Sequence, residues 1–238
     1  MTPISRPCLL VRLIGCCALL AAAATQGAPH VVDLRRLQPI HGDAAAGAGK
    51  ATACFACHGA HGASIAPIFP RLAGQRADYL YHRLVAFKQA DPQDPYYAQS
   101  PMTAQAAHLS DQDMQDLAAF FAAQTPDDSA TAPSDASQGI GERIFHSGDP
   151  SRGVPPCQGC HGADAAGPPL RDPQYAAYPS LRGQYALYVT ARLKNFRAGH
   201  PHDTTNAWVM GGVAHSLDDE SIQAVAAWLQ SLRPATTP

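Results

Sequence analysis

The hexapeptide CFACHG at Cys54–Gly59 returns as CQGCHG at Cys157–Gly162, and the second copy begins 103 residues after the first. A second pair of segments follows in the same order, with PRLAGQ at Pro70–Gln75 matched by PSLRGQ at Pro179–Gln184, 109 residues later. Self-similarity of this kind indicates an internal repeat. The sequence therefore predicts two copies of one folding unit in tandem.

A break in composition between the two copies predicts the domain boundaries. The stretch Thr125–Asp135 is polar, contains two prolines and has no apolar period, which is typical of a linker. We expect a first domain at 29–125, a linker at 126–136 and a second domain at 137–233, with a tail at 234–238.

Each copy has the apolar spacing of helices. Leu80, Leu84 and Phe87 occupy positions i, i+4 and i+7, and the second copy repeats this spacing from Val189. Ser110–Asp113 has the pattern of a capping box that begins another helix. No segment alternates as a half-buried strand does. The predicted fold class is all-α, with long loops rich in glycine and proline between the helices.

Composition limits the class of protein further. The chain has 238 residues, a formal net charge of −2 and 46% hydrophobic residues. This hydrophobic fraction excludes a wholly disordered chain, and the lack of a basic excess argues against a nucleic-acid partner.

The N-terminus has the layout of a secretory signal peptide, because basic residues precede the apolar run Leu13–Ala24 and small residues follow it. We expect residues 1–24 to be removed by cleavage between Ala24 and Ala28, which places the mature chain in the periplasm. The run is shorter than the roughly 20 residues that span a bilayer. A retained membrane anchor and a lipoprotein cleavage box at Leu13–Cys16 are the alternatives.

Removal of this peptide leaves 15 basic and 19 acidic residues. It also leaves four cysteines, and these four all lie in the repeated hexapeptides. The cysteines are Cys54, Cys57, Cys157 and Cys160. Each pair is followed at once by a histidine, and C-x-x-C-H is the attachment signature of c-type haem. The two thiols can form thioethers with the two vinyl groups of the macrocycle, which brings His58 or His161 to the iron. We therefore expect two covalently bound haem c groups.

Two other interpretations of these residues are a zinc site and a pair of redox-active disulfides. A zinc ribbon brings its two C-x-x-C segments together, whereas here they begin separate repeats, and a thioredoxin-like unit needs a βαβ pattern. Haem also explains the composition, because an apolar disc can complete the core of a domain of about 95 residues with few bulky side chains.

The sixth ligand of each iron is predicted from the repeat. Met102 and Met210 lie 44 and 49 residues after the two motif histidines, and we expect both in loops just before the last helix of their copy. Met114 falls inside that helix and aligns with Ile222, so we expect it to be a packing residue. Met102 and Met210 are the predicted ligands, and thioether ligation would raise the reduction potentials.

Bis-histidine ligation is the alternative. His108 and His215 also lie near the last helices, but they are 107 residues apart, whereas the two methionines are 108 apart, like the helices that follow them. His61 has no counterpart in the second copy, where Asp164 occupies its place, and we expect it at the surface.

The two halves resemble class I cytochrome c domains, and their arrangement resembles the dihaem cytochrome c-four family. The resemblance extends from about Gly42 to Leu232 and rests on the twin C-x-x-C-H-G motifs, the P-x-L-x-G-Q segments and the methionine-then-helix endings. It implies that the carbonyl groups of Pro70 and Pro179 accept hydrogen bonds from the motif histidines and fix their orientation. The segment Trp208–Gly212 departs from its counterpart in the first copy, so the two haems are expected to differ in potential.

An iron with two protein ligands has no position for a substrate, so we expect an electron carrier with one electron per haem, no catalytic residues and no enzymatic activity. The resemblance implies transfer from a quinol-oxidising complex to a terminal oxidase, with peripheral membrane association as an option. The alternatives are a cytochrome subunit that serves a dehydrogenase and a dihaem oxidoreductase of the peroxidase or sulfur-compound dehydrogenase type. The oxidoreductase would need an open or displaceable ligand position.

Overall fold

The computed structural model describes residues 31–36, 38–126, 135–169, 173–201 and 203–232. The predicted signal peptide, most of the predicted linker and the predicted tail lie outside these residues. Within them every regular element is a helix, apart from two isolated β-bridges. The all-α prediction is confirmed. No helix in the described ranges combines the length and the apolar character needed to span a bilayer.

The described helices follow the same order in both halves, except that the short α4 of the first half has no counterpart in the second. The first half contains α1 (Ala44–Lys50), α2 (Phe55–His58), α3 (Ala77–Lys88), α4 (Pro95–Ala98), α5 (Pro101–Ala107) and α6 (Asp111–Ala122). The second half contains α7 (Asp135–Ser147), α8 (Gln158–His161), α9 (Ala186–Arg197), α10 (Thr205–His215) and α11 (Asp219–Ser231). Short 3-10 turns occur at Leu34–Arg36, Ala51–Cys54, Ala60–Gly62, Pro150–Arg152 and Pro173–Tyr175.

In each half the first helix crosses the last helix at a glycine. Helix α1 packs on α6, and α7 packs on α11. A Cβ atom at Gly47 would lie 2.1 Å from the carbonyl oxygen of Asp116, and one at Gly141 would lie 2.2 Å from that of Ala224. Any side chain at these positions would hold the helices apart, so glycine permits the close approach.

The core of the second half lies between α7, α9 and α11. Phe145, Ile222 and Leu229 are almost inaccessible to solvent, and the ring centroids of Phe145 and Trp228 are 4.7 Å apart. Burial of each such side chain contributes about 1.5–3 kcal/mol to stability. The first and last helices are therefore joined beside the segment that carries the second motif.

The core of the first half includes a residue of the motif itself. Phe55, between the two cysteines, has its ring centroid 6.2 Å from that of Phe120 and 6.5 Å from that of Phe121. Gln158 replaces Phe55 in the second half and donates from Nε2 to the carbonyl oxygen of His146 at 2.6 Å. The same motif position thus makes aromatic contacts in the first half and a hydrogen bond in the second.

The predicted capping box at the start of α6 is present. The Ser110 hydroxyl accepts a hydrogen bond from the Asp113 N–H at 3.1 Å, and the Ser110 N–H donates to the Asp113 carboxylate at 2.9 Å. In the second half the carboxylate of Asp218 caps α11 by accepting from the Ser221 N–H at 2.8 Å. Helix α6 therefore begins where the sequence predicts, and α11 begins after an equivalent cap.

A buried carboxylate links α1 to α6 in the first half only. The side chain of Asp116, with 3% of the residue exposed, accepts hydrogen bonds from Lys50 Nζ at 2.6 Å, the Asp43 N–H at 2.9 Å and Gln112 Nε2 at 2.8 Å. These hydrogen bonds lower the pKa of Asp116 to about 2, and the bond from Lys50 has the largest effect, followed by those from Asp43 and Gln112. The repeat places Ala224 at this position in the second half.

We predict that Asp116→Asn lowers the free energy of unfolding at neutral pH. The carboxylate stabilises the folded state above the ordinary aspartate pKa of about 4, and this contribution is lost as the pH falls towards about 2. The wild type should therefore lose stability more steeply over this window than the variant, as measured by denaturant unfolding at a series of pH values. Glu220→Gln, which changes an exposed carboxylate of α11, is the control, and equal slopes for wild type and Asp116→Asn would contradict the prediction.

Candidate haem sites

Both C-x-x-C-H motifs lie on single helical turns. In the first half Cys54 ends a 3-10 turn and the motif continues through α2, and in the second half Cys157 immediately precedes α8. Residues three apart on a helical turn are neighbours, so each pair of thiols lies on one side of its turn. The four motif cysteines are free thiols, and Cys57 and Cys160 are exposed.

A glycine ends each motif helix with a left-handed backbone conformation. Gly59 has a φ angle of 74° and Gly162 has one of 77°. A Cβ atom would lie 2.3 Å from the Ala63 carbonyl oxygen in the first half and 2.4 Å from the Gly167 carbonyl oxygen in the second. Only glycine fits this conformation and this space, which accounts for the G of C-x-x-C-H-G.

The first thiol of each motif lacks the lowered pKa that is typical of a redox-active cysteine. Burial raises the pKa of Cys54 and raises that of Cys157 to about 11. Redox-active C-x-x-C pairs have a lowered pKa, because the thiolate is the reactive form. The zinc interpretation also lacks support, since the part of the chain described contains no group of three or more His, Cys, Asp or Glu side chains placed to hold a metal ion.

The two motif histidines are buried and oriented alike. His58 is 6% exposed and its Nδ1 lies 2.9 Å from the Pro70 carbonyl oxygen, while His161 is 7% exposed and its Nδ1 lies 3.1 Å from the Pro179 carbonyl oxygen. A carbonyl oxygen can only accept, so Nδ1 carries the hydrogen and Nε2 keeps a free lone pair. Burial also lowers the pKa of both rings, by more than the prolyl carbonyls raise it. Each imidazole is therefore neutral and able to bind a metal through Nε2.

Aromatic side chains lie beside both imidazoles. The ring of Phe69 is 6.1 Å from that of His58 in an edge-on arrangement, and the ring of Tyr178 is 6.4 Å from that of His161. We did not predict these contacts. The signal was present, because Phe69 and Tyr178 directly precede the matched prolines and extend the repeat by one position.

The two predicted methionines lie on helices, so the prediction of loops was wrong. Met102 is the second residue of α5, which Ser100 caps by accepting from the Met102 N–H at 3.3 Å. Met210 lies within α10, which Thr204 caps through the Ala207 N–H at 3.1 Å. The caps and the proline in the first turn of α5 supply helix-initiating signals that the apolar pattern alone does not reveal.

The other candidate ligands differ from Met102 and Met210 in exposure. Both of these methionines are half-buried, whereas His61, His108 and His215 are exposed. Met114 is 3% exposed within α6, as expected for a packing residue. An exposed imidazole stays hydrated when it binds no metal. The positions of these three histidines therefore give no structural sign of ligation.

Buried polar atoms without hydrogen-bond partners occur on α3 and just before α10. Arg83 Nη2, His82 Nε2 and Asp203 Oδ1 are each buried and form no hydrogen bond. Arg83 Nη1 lies 3.5 Å from the Asp203 carboxylate, which also accepts from the Tyr97 hydroxyl. A buried guanidinium with a spare donor suits a carboxylate such as a haem propionate. The residues present therefore fit a haem group in their paired thiols and buried imidazoles.

Covalent haem attachment requires a pair of free thiols beside a neutral, buried imidazole. Each of the two helical halves contains one such set. The fold and the sites therefore define a dihaem c-type cytochrome. A family model described as cytochrome c matches residues 44–124 and 141–233.

Known proteins similar to this chain include cytochromes c4 and an electron acceptor of a thiosulfate dehydrogenase. Cytochrome c4 of Thiocapsa roseopersicina is 41% identical over 196 residues, which cover 82% of this chain and 95% of that protein. The crystal structure of reduced recombinant cytochrome c4 from Pseudomonas stutzeri matches 81% of this chain and all of its own, with a TM-score of 0.71 and 37% identity. The thiosulfate dehydrogenase electron acceptor of Stutzerimonas stutzeri is 34% identical over 165 residues, 69% of this chain and 71% of that protein.

The chain belongs to the cytochrome c4 family. It binds two covalent haem c groups, and it is an electron-transfer protein, not an enzyme. Both expectations from the sequence are confirmed.

We predict that replacing Cys54 and Cys57 with Ala leaves one haem per chain, because each motif holds one group through its own two thiols. A pyridine haemochrome assay against protein concentration measures this number, and the pair Cys157→Ala and Cys160→Ala is the matched variant. Two haems in either variant, or wild-type haem that acidified organic solvent extracts, would contradict thioether attachment at these cysteines.

Proposed function

We propose that the protein shuttles electrons in the periplasm from a quinol-oxidising complex to a terminal oxidase. In this proposal Cys54 and Cys57 attach the first haem, and its iron is bound by His58 and Met102. Cys157 and Cys160 attach the second, and its iron is bound by His161 and Met210. The observation that carries the proposal is the pair of buried histidines with Nδ1 bonded to a prolyl carbonyl and Nε2 free.

Haem c supplies reversible one-electron exchange at iron, and the protein's residues set the conditions for it. The thiols of each motif fix the group covalently, and the prolyl carbonyl holds the proton on Nδ1 of the histidine. This bond directs Nε2 and raises its basicity. A methionine thioether as the opposite ligand raises the reduction potential. The surrounding protein keeps water from both imidazoles, which are 6% and 7% exposed.

Occupied axial positions also separate this function from catalysis. A peroxidase or a sulfur-compound dehydrogenase needs one position open or displaceable, and every cysteine of the described chain belongs to a C-x-x-C-H motif. The similarity to the thiosulfate dehydrogenase electron acceptor favours a second candidate function, in which the same haems receive electrons from a dehydrogenase. The chemistry within the chain is then identical, and only the donor differs.

The periplasmic location is proposed from the N-terminal sequence, whose apolar run after basic residues is typical of export. The four cysteines that the structure describes form no disulfide, and covalent haem attachment would account for them in an exported chain. Peripheral association with the membrane would follow from docking to membrane-bound redox complexes.

We predict that Met102→His removes the first haem's share of the weak long-wavelength absorption band that thioether ligation gives the oxidised protein. It should also lower one of the two reduction potentials, because imidazole replaces a thioether at the iron. Optical spectra and a redox titration measure both effects. Met114→Leu is the control and should leave the band and both potentials unchanged. The same losses in Met114→Leu would instead assign ligation to the buried methionine of α6.

We also predict that the reduced protein binds carbon monoxide poorly at neutral pH, because a ligand must leave before the gas can bind. A purified quinol-oxidising complex with quinol should reduce both haems, and a terminal oxidase should reoxidise them, as followed by stopped-flow absorption. Rapid stoichiometric binding of carbon monoxide to one haem would indicate the oxidoreductase class. Reduction by a thiosulfate dehydrogenase but not by the quinol-oxidising complex would establish the second candidate function.

A further inference from the structure

The glutamines that end the two P-x-L-x-G-Q segments each bond the main chain of the opposite half. Gln184 Oε1 accepts from the Arg71 N–H at 2.9 Å, and its Nε2 donates to the Arg71 carbonyl oxygen at 3.0 Å. Gln75 Oε1 accepts from the Ser180 N–H at 2.8 Å, and its Nε2 donates to the Ser180 carbonyl oxygen at 2.8 Å. Both glutamines are 7% exposed. The exchange is reciprocal and buried.

These bonds involve the same peptide groups that orient the motif histidines. The Pro70 carbonyl, which accepts from His58 Nδ1, and the Arg71 N–H, which donates to Gln184, belong to one peptide group. A continuous path of two hydrogen bonds therefore runs from His58 to a glutamine of the other half.

The second half repeats this path in the same order. His161 Nδ1 donates to the Pro179 carbonyl, and the N–H of the following residue, Ser180, donates to Gln75 Oε1. Each glutamine oxygen also accepts from the N–H of the next residue in its own chain segment, Arg76 at 2.9 Å or Tyr185 at 3.1 Å. Both amides are therefore held in one orientation.

Such a path transmits an electronic effect. An acceptor on the N–H side of a peptide polarises the group and makes its carbonyl oxygen a stronger acceptor, by about 10–30% per bond. A stronger acceptor at Nδ1–H raises the basicity of Nε2. A more basic imidazole stabilises the ferric state more than the ferrous state, which lowers the reduction potential.

We propose that Gln75 and Gln184 are positioning residues that set the reduction potential of the haem in the opposite half. Gln184 tunes the first haem through Arg71, Pro70 and His58. Gln75 tunes the second haem through the matching residues. This inference rests on the proposed ligation of iron by His58 and His161.

The interface contains other bonds that do not touch either peptide group, and they provide a control. Arg76 donates to the carbonyl oxygens of Pro168 at 2.6 Å, Ala176 at 3.1 Å and Tyr175 at 3.3 Å. Arg76→Lys keeps the charge but loses the fork geometry that reaches three carbonyls. This variant loosens the interface and leaves both glutamine paths in place.

The test is a redox titration of the dihaem protein with Gln184→Leu and with Gln75→Leu. In Gln184→Leu the first haem's potential should rise, with the ratio of reduced to oxidised haem at a fixed applied potential increasing about threefold, or about 28 mV at 59 mV per tenfold change. The second haem should be unchanged. Gln75→Leu should raise the second haem's potential and leave the first unchanged, and Arg76→Lys should change neither potential. Met102→His, which lowers the first haem's potential, identifies the half to which each titration step belongs.

Gln184→Glu tests the sign of the effect without removing the acceptor. At a pH well above the ordinary carboxyl pKa, a charged acceptor bonds the Arg71 N–H more strongly than an amide does. The first haem's potential should then fall, opposite to the shift in Gln184→Leu. If the shifts came from loss of interface packing, Gln184→Leu and Gln184→Glu would change the first haem's potential in the same direction. The fall expected in Gln184→Glu can also be measured where Gln184→Leu folds poorly.

Proton NMR of the reduced protein gives a second readout. The Nδ1–H signal of His58 should move upfield in Gln184→Leu, since its hydrogen bond weakens, and that of His161 should not. The proposal would be overturned by a change in the reduction potential of the haem in the same half as the substituted glutamine. Equal changes in both potentials, or no change in either, would overturn it too. Failure of His58 ligation would be visible separately, as a wild-type His58 signal that lacks the displacement caused by a neighbouring haem ring.

Discussion

The hydrogen bond from a buried histidine Nδ1 to a prolyl carbonyl is the interaction on which both halves depend. It fixes the ring and its tautomer, so that a neutral Nε2 is the free nitrogen at each site. The glycine after each motif lets the chain leave the helical turn sharply. The crossing of the first and last helices at Gly47 and Gly141 completes the helical framework around the site.

The local features of this fold were predictable from sequence, and the contacts between distant segments were not. The twin motifs, the helical spacing and the capping box at Ser110 are short-range patterns, and the structure contains them. The helix around Met102 was missed because its signals are a cap and a proline, not an apolar period. The bonds of Gln75 and Gln184 join residues 105 and 113 positions apart, and no pattern within one repeat specifies a partner in the other.

The two halves share the site but differ in what supports it. Phe55 packs on aromatic rings where Gln158 forms a hydrogen bond, and Asp116 forms an ion pair with Lys50 where the second half has alanine. Trp208 and Val209 are exposed beside Met210, whereas a capping serine and a proline precede Met102. Equal ligand types with unequal surroundings are a sufficient basis for two different potentials.

The reciprocal glutamine contacts have the form of an isologous interface, in which the same patch on each of two copies contacts the other. Such an interface in a dimer of separate chains forms only above a certain protein concentration. With both copies in one polypeptide, pairing becomes intramolecular and the effective concentration is set by the connection between them. The two copies can then acquire different residues at matched positions, such as Arg71 and Ser180, while they remain paired at any dilution.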